Sequence, residues 1–232
     1  MTINIITLGC SKNIVDSEIM ASRLQKMGHR IFFECTMKTD AVIINTCSFI
    51  GDAREESVNE ILAQVERKMR RQVKKIYVVG CLAQRCKQDL VNELPEVDGF
   101  FTFDELKKLM ESSDFDLLGT SERLLSTPTH YAYLKVSEGC DHSCSYCAIP
   151  LIRGKQVSKP IPLLVEEAQK LADQGVKELM LIAQDLTYYG VDLTGKQELA
   201  KLMEALAQVK GLEWIRLHYA YPIHFPYEIL DV

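Results

Sequence analysis

The chain has 232 residues, 47% hydrophobic and 25% charged, an ordinary make-up for a soluble protein with one large domain or two small ones. A net charge of -5 argues against binding nucleic acid through an overall basic field, though not against a local basic patch. Eight cysteines with no signal-peptide pattern before them argue against a secreted disulfide framework, and no apolar run approaches the roughly 18 residues of a membrane span. A reducing cytoplasm and no membrane partner are expected.

In residues 1–118 short apolar runs alternate with amphipathic segments: INIITLG, SEIMASRLQKMG, HRIFFE, DAVIINT, a helical pattern from Glu55 to Val73, KIYVVG, a helix near Ala83 to Glu93, and DGFFT. That alternation predicts an α/β domain, a flavodoxin-like parallel sheet of five strands. Asp16-Ser17 reads as the start of the first helix, Gly28 as its stop, and Pro95 as the end of the third. A polar, aperiodic stretch follows, with residues 119–130 as a linker.

Residues 131–232 resume the alternation: YAYLKVSEG, a cysteine loop, the helix PLLVEEAQKLADQG, the strand KELMLIAQD, the helix KQELAKLMEALAQVKG and the strand LEWIRLHY. A full (β/α)8 barrel takes about 250 residues. Three strands make only its first part, and PYEILDV reads as the opening of another helix, so the chain is expected to be a piece of a longer protein ending short at Val232.

Ligands of an open parallel sheet bind beyond the carboxyl ends of its strands. Cys10 follows IITLG, Cys47 follows VIINT and Cys81 follows IYVVG. With the strand order 2-1-3-4-5 these ends are neighbours about 4.8 Å apart, and the three thiols can converge. Burial as small hydrophobes is the plain alternative. Cys35, after the outer second strand, and Cys86, inside a helix, read as structural.

The second trio is tighter: Cys140, Cys144 and Cys147 share the eight-residue stretch CDHSCSYC. Soft thiolates in one loop select zinc or an iron-sulfur cluster. A zinc site needs a fourth ligand, for which His142 is nearest, but finger spacings pair one CxxC with a second pair that is missing here. A 4Fe-4S cluster takes four cysteines, so three leave one iron open to a substrate or cosubstrate.

CDHSCSYC resembles the C-x3-C-x2-C signature of radical S-adenosylmethionine (SAM) enzymes, with Tyr146 in the aromatic position before the last cysteine. Together with Cys10, Cys47 and Cys81 in an N-terminal α/β domain, it resembles the methylthiotransferases. The stretches TLGCSKNIVDSE, SEGCDHSCSYCAIPLIRG, LIAQDLTYYGVDL and RLHYAYP are similar to the ribosomal-protein aspartate branch (RimO). The tRNA-modifying branch (MiaB) typically has GCQMN at the first site and GQN where this chain has Ala183, Gln184 and Asp185.

The resemblance implies two 4Fe-4S clusters, one per trio. One would hold SAM at its open iron and cleave it to a 5'-deoxyadenosyl radical that attacks the β-carbon of an aspartate in a small-subunit ribosomal protein. The other would carry the sulfur to be delivered. It implies a reductant such as flavodoxin or ferredoxin, a sulfur donor, and two further parts lacking here, the rest of the partial barrel and a C-terminal TRAM domain. A tRNA methylthiotransferase and a non-catalytic iron-sulfur or zinc protein are the rival readings.

Among weaker features, Gln184 and Asp185 close a barrel strand, the active face of such folds, and are candidates to face SAM, with turn-capping the alternative for Asp185. Tyr188 and Tyr189 read as packing, and His142 as a polar loop residue. The basic run RKMRRQVKK, Arg67 to Lys75, reads as a solvated helix end rather than an RNA contact. His218 and Tyr219 carry no assignment.

Overall fold

The computed structural model describes residues 1–109, 122–222 and 225–231. The chain divides into two compact units, Met1–Phe115 and Asp116–Val232. The boundary expected at residue 118, the linker's residues 119–121 and the chain end at Val232 lie outside the described residues.

The first unit runs β1 (Thr2–Thr7), α1 (Ser11–Lys26), β2 (Arg30–Phe33), β3 (Thr39–Thr46), α2 (Gly51–Met69), β4 (Val73–Gly80), α3 (Cys81–Glu93), β5 (Gly99–Phe100) and α4 (Phe103–Leu109). The sheet order is β2-β1-β3-β4-β5 and every pairing is parallel, as the alternation predicts. Ile5 pairs with Ile43, and Ile43 with Tyr77, so the three cysteine-bearing strands are adjacent and in register. Val42, Ile44, Ile61, Ile76, Val78 and Leu82 form the core under α2 and α3. Each such side chain contributes about 1.5–3 kcal/mol relative to exposure.

Four helix boundaries differ from expectation, among them the start of α2, at Gly51 rather than Glu55. Helix α1 begins at Ser11, so Asp16 and Ser17 lie within it; extended Cys10 precedes its first turn and no side chain caps it. Gly9, at φ +88°, turns the chain directly from β1 into the helix. Helix α3 starts at Cys81, straight off Gly80 at φ +92°. Helix α2 ends at Met69, because Arg71 is left-handed (φ +58°) and buried, β-branched Val73 enters the sheet. Cys86 does sit in α3, but at a kink (φ -128°, ψ 24°), packed against the core.

The second unit runs β6 (Tyr131–Lys135), β7 (Ser137–Glu138), α5 (Ile149–Arg153), β8 (Val157–Ser158), α6 (Ile161–Asp173), β9 (Glu178–Ile182), α7 (Val191–Thr194), α8 (Leu199–Ala207) and β10 (Trp214–Leu217), then a 3-10 turn, Tyr227–Asp231. Its main sheet is parallel in the order β10-β9-β6, the succession that opens a barrel. The antiparallel pair β7 and β8 and the short α5 have no counterpart in the sequence expectation, because two-residue strands carry too little periodicity to read. Leu134, Leu164, Leu171, Leu179, Leu181 and Leu202 lie in the core between sheet and helices.

Candidate metal centres

The ends of β1, β3 and β4 are drawn together around Asn13. Its side-chain amide donates to the Leu8 carbonyl at 2.8 Å and the Thr46 carbonyl at 3.0 Å, and its Oδ1 lies 4.0 Å from Cys81 Sγ. Its own carbonyl accepts from Asn45 Nδ2 at 2.9 Å, and the Cys10 carbonyl accepts from the Asn13 N–H at 2.9 Å. One side chain therefore links residues beside Cys10 and Cys47 to the Cys81 thiol.

The glycines make the approach possible. A Cβ on Gly9 would lie 2.5 Å from Cys47 Cβ and 2.8 Å from its Sγ, with Asn13 Nδ2 at 3.7 Å. A Cβ on Gly80 would meet Asn45 Oδ1 at 2.4 Å and the Thr46 carbonyl at 2.5 Å. The Cys47 backbone is pinned on both sides: its N–H donates to Ser57 Oγ at 3.0 Å, and that hydroxyl lies 2.9 Å from its carbonyl. Cys47 and Cys81 are buried and Cys10 half-buried. The structure thus brings this trio to one edge of one sheet. Cys35 is outside it, its backbone exchanging bonds of 2.9 and 3.0 Å with the Asn4 amide.

The second trio sits on the loop between β7 and α5. Cys140 is buried, Cys147 half-buried and Cys144 exposed. Gly139 (φ +73°) admits no side chain, since a Cβ would meet the Lys155 carbonyl at 2.0 Å, and Cys140 N–H donates to the Gly154 carbonyl at 3.1 Å. The Cys147 N–H closes a turn onto the Cys144 carbonyl at 3.0 Å. Burial pushes the Cys140 thiol above its ordinary range; the His142 N–H opposes this, while Asp185, Cys147 and Cys144 add to it. A cationic metal partner would relieve that strain on the thiolate.

Sequence reasoning misses the braces of this loop. His142 Nε2 lies 2.8 Å from Asp185 Oδ2, while Asp185 Oδ1 accepts from the Thr187 N–H at 2.9 Å and hydroxyl at 2.7 Å. Asp185 therefore does cap its turn, and His142 is more than a polar loop residue. Glu138 is bound by Lys135 Nζ at 2.7 Å and Arg153 at 3.1 Å. Partners 43 residues apart, as His142 and Asp185 are, leave no local signal.

Tyr146 is 89% exposed and Gln184 half-buried. Tyr189 is core, its hydroxyl donating to the Lys159 carbonyl at 2.6 Å, and Tyr188 packs its ring against His142 with centroids 5.0 Å apart. The His218 ring meets Tyr133 and Tyr219 edge-on. The basic run is engaged internally: Lys68 and Lys75 pair with Asp98, Lys74 with Asp40, Arg70 with Glu66, and Arg67 binds the Thr36 and Met37 carbonyls. That is the solvated-face reading.

Among the described residues no three His, Cys, Asp or Glu side chains are gathered tightly enough to share a single metal ion. The cysteines of a 4Fe-4S cluster each bind a different iron and stand further apart than the ligands of one ion. Around the first trio, Ser11 and Ser48, each next to a cysteine, bury hydroxyls that find no partner among the described residues. Thiolates with spare donors beside them suit a sulfur-rich cluster, and in this respect the residues fit it.

Comparison with known proteins separates the same two parts. Residues 2–102 match the uncharacterized protein family UPF0004, and residues 134–228 match the radical SAM superfamily. Both matched stretches fall within a single alignment with curated relatives. The "Ribosomal protein uS12 methylthiotransferase RimO" of Flavobacterium johnsoniae is 54% identical over 236 residues, covering 99% of this chain and 54% of that protein. The protein of the same name from Flavobacterium psychrophilum is 53% identical over 234 residues, covering 99% and 53%. The chain thus spans about half the length of the curated relatives it matches. Among solved structures, the radical SAM methyltransferase TsrM of Kitasatospora setae, with cobalamin and a [4Fe-4S] cluster bound, aligns with a TM-score of 0.62 at 12% identity, covering 99% of this chain and 58% of that one. At that identity the likeness is one of fold.

Proposed function

We propose that this chain comprises the two cluster-binding units of a radical SAM methylthiotransferase, which adds a methylthio group to the β-carbon of an aspartate in ribosomal protein uS12. The observation that carries the reading is the pair of cysteine trios on separate units of a chain 54% identical, over 99% of its length, to a uS12 methylthiotransferase. In this reading residues 1–118 form the first cluster domain, 119–130 the linker and 131–232 a radical SAM domain.

Cys10, Cys47 and Cys81 would hold one 4Fe-4S cluster and Cys140, Cys144 and Cys147 the other, each trio leaving one iron for an incoming molecule. When bound, these groups supply reductive cleavage of SAM and the sulfur to be transferred. The chain's own part is positional. Asn13 and Gly9 bring Cys47 and Cys81 close to the first turn of α1. His142 and Asp185 tie the second cysteine loop to the end of β9. Tyr146 and Gln184 are the side chains we assign to SAM, and Asp185 acts on the site through His142.

The reaction needs a one-electron reductant such as flavodoxin or ferredoxin and a sulfur donor. No helix among the described residues is long and apolar enough to cross a membrane, which suits a cytoplasmic enzyme acting on ribosomes. The test uses the intact protein, reconstituted anaerobically and given SAM, reductant, sulfide and uS12 alongside unmodified tRNA. Mass spectrometry should find the methylthio group on an aspartate of uS12. Its appearance on tRNA alone would favour the tRNA branch, and failure to cleave SAM would leave a metal-binding module.

A further inference from the structure

We infer that the Ser11 and Ser48 hydroxyls donate hydrogen bonds to sulfur atoms of the cluster held by Cys10, Cys47 and Cys81, and that they raise its reduction potential; this rests on the cluster reading above. Ser11 is 9% exposed and Ser48 0%. Neither side-chain oxygen has a partner among the described residues. A buried hydroxyl that has given up water without replacement is unfavourable, and native proteins rarely keep one without an ion, water or ligand to serve it.

The neighbouring hydroxyls set the contrast. Thr7 bonds Ser17 at 2.8 Å, Ser17 accepts from Asn45 at 2.9 Å, Thr46 donates to the Val79 carbonyl at 2.6 Å, and Ser57 Oγ lies 2.9 Å from the Cys47 carbonyl. Around this sheet edge the exceptions are the two serines that directly follow trio cysteines. Thr39 and Ser137 also bury unpaired hydroxyls, but Thr39 opens β3 at its other end and Ser137 lies in the second unit, three residues before Cys140. Asn45 Oδ1 is unpaired too, yet it can only accept.

The backbones carrying the two serines are fixed. The Ser48 carbonyl accepts from Arg85 at 3.2 Å and Cys47 is clasped by Ser57, while Ser11 is the first residue of α1. Each unpartnered hydroxyl is therefore carried on a fixed backbone at the residue directly after a trio cysteine. Reduction adds an electron to the cluster and makes its sulfurs more negative. O–H donors then stabilise the reduced form more than the oxidised form, which raises the potential.

The experiment uses the intact protein with Cys140, Cys144 and Cys147 all changed to Ala, so that the first cluster alone remains. Ser11→Ala, Ser48→Ala and the double variant are compared with this parent for iron and sulfide content, for midpoint potential by EPR-monitored titration, and for exchangeable-proton couplings in H2O and D2O. The expected result is unchanged iron, a more negative potential in each single variant, shifts that add in the double, and loss of a coupling at each step. Unchanged potentials in iron-replete variants, or a parent spectrum without exchangeable couplings, overturn the inference, and the parent spectrum decides even if an alanine variant fails to fold. A parent that binds no iron refutes the cluster reading instead.

Discussion

Asn13 bonds two carbonyls and approaches one thiol with a single side chain. Removing it leaves the Leu8 and Thr46 carbonyls without that donor, at a cost of about 1–3 kcal/mol for each buried group left unsatisfied. Asn13→Ala is expected to lower the apoprotein's unfolding free energy in urea by that order and to reduce the iron bound by the first trio while leaving the second trio loaded. Asp185 plays the corresponding part in the other unit by bracing the cysteine loop through His142. Groups that orient ligands from behind typically alter metal retention on the order of 10–100-fold. Asp185→Ala should speed iron loss from the second trio to a chelator by such a factor; a rate equal to the parent's would remove the brace from the account.

At the scale of elements, the five parallel strands were legible because each is a short apolar run bounded by Gly, Asn or a polar helix, and their pairing follows the expected 2-1-3-4-5 order. The start of α1 was not legible, since its cap is a backbone turn at Gly9 with no side-chain signature, and Asp16-Ser17 looked the better cap. The ion cluster against α6 was equally hidden. Glu167 there meets Arg123 at 3.1 Å and Lys159 at 2.7 Å, all nearly fully buried, and Arg123 lies 44 residues away along the chain. Burial presses the Lys159 ammonium toward deprotonation and Glu167 opposes it. Glu167→Gln strips the shared anion from two buried cations and should destabilise the second unit by roughly 3–5 kcal/mol in chemical denaturation. A change near zero would mean the cations are served elsewhere.

For the whole molecule, the cysteine spacings carried most of the site, because thiolates at strand ends and in one loop are defined by chain order alone. Asn13, His142 and the buried serines depend on tertiary neighbours and needed the structure. Overall pH behaviour follows from surface carboxylates of the first unit. The Lys74 ammonium holds Asp40 well below the usual carboxylate range, and the Lys87 ammonium with the Thr102 N–H takes Glu105 down to about 2. Burial raises Asp98, but Lys68 and Lys75 outweigh it and leave it lowered. These folded-state values lie below those of the unfolded chain, so their stabilisation is present above about pH 4.5 and fades as pH falls toward 2. The apoprotein's urea midpoint should decline over that window, with a shallower slope in high salt because the pairs are solvent-screened.

The central claim is that two separate trios each hold a four-iron cluster, and iron and sulfide content with Mössbauer spectra after anaerobic reconstitution tests it most directly. The intact protein should lose half its iron when Cys10, Cys47 and Cys81 are all changed to Ala, with the remaining spectrum that of a 4Fe-4S cluster. Full iron in that variant, or none in the second trio, would contradict the account.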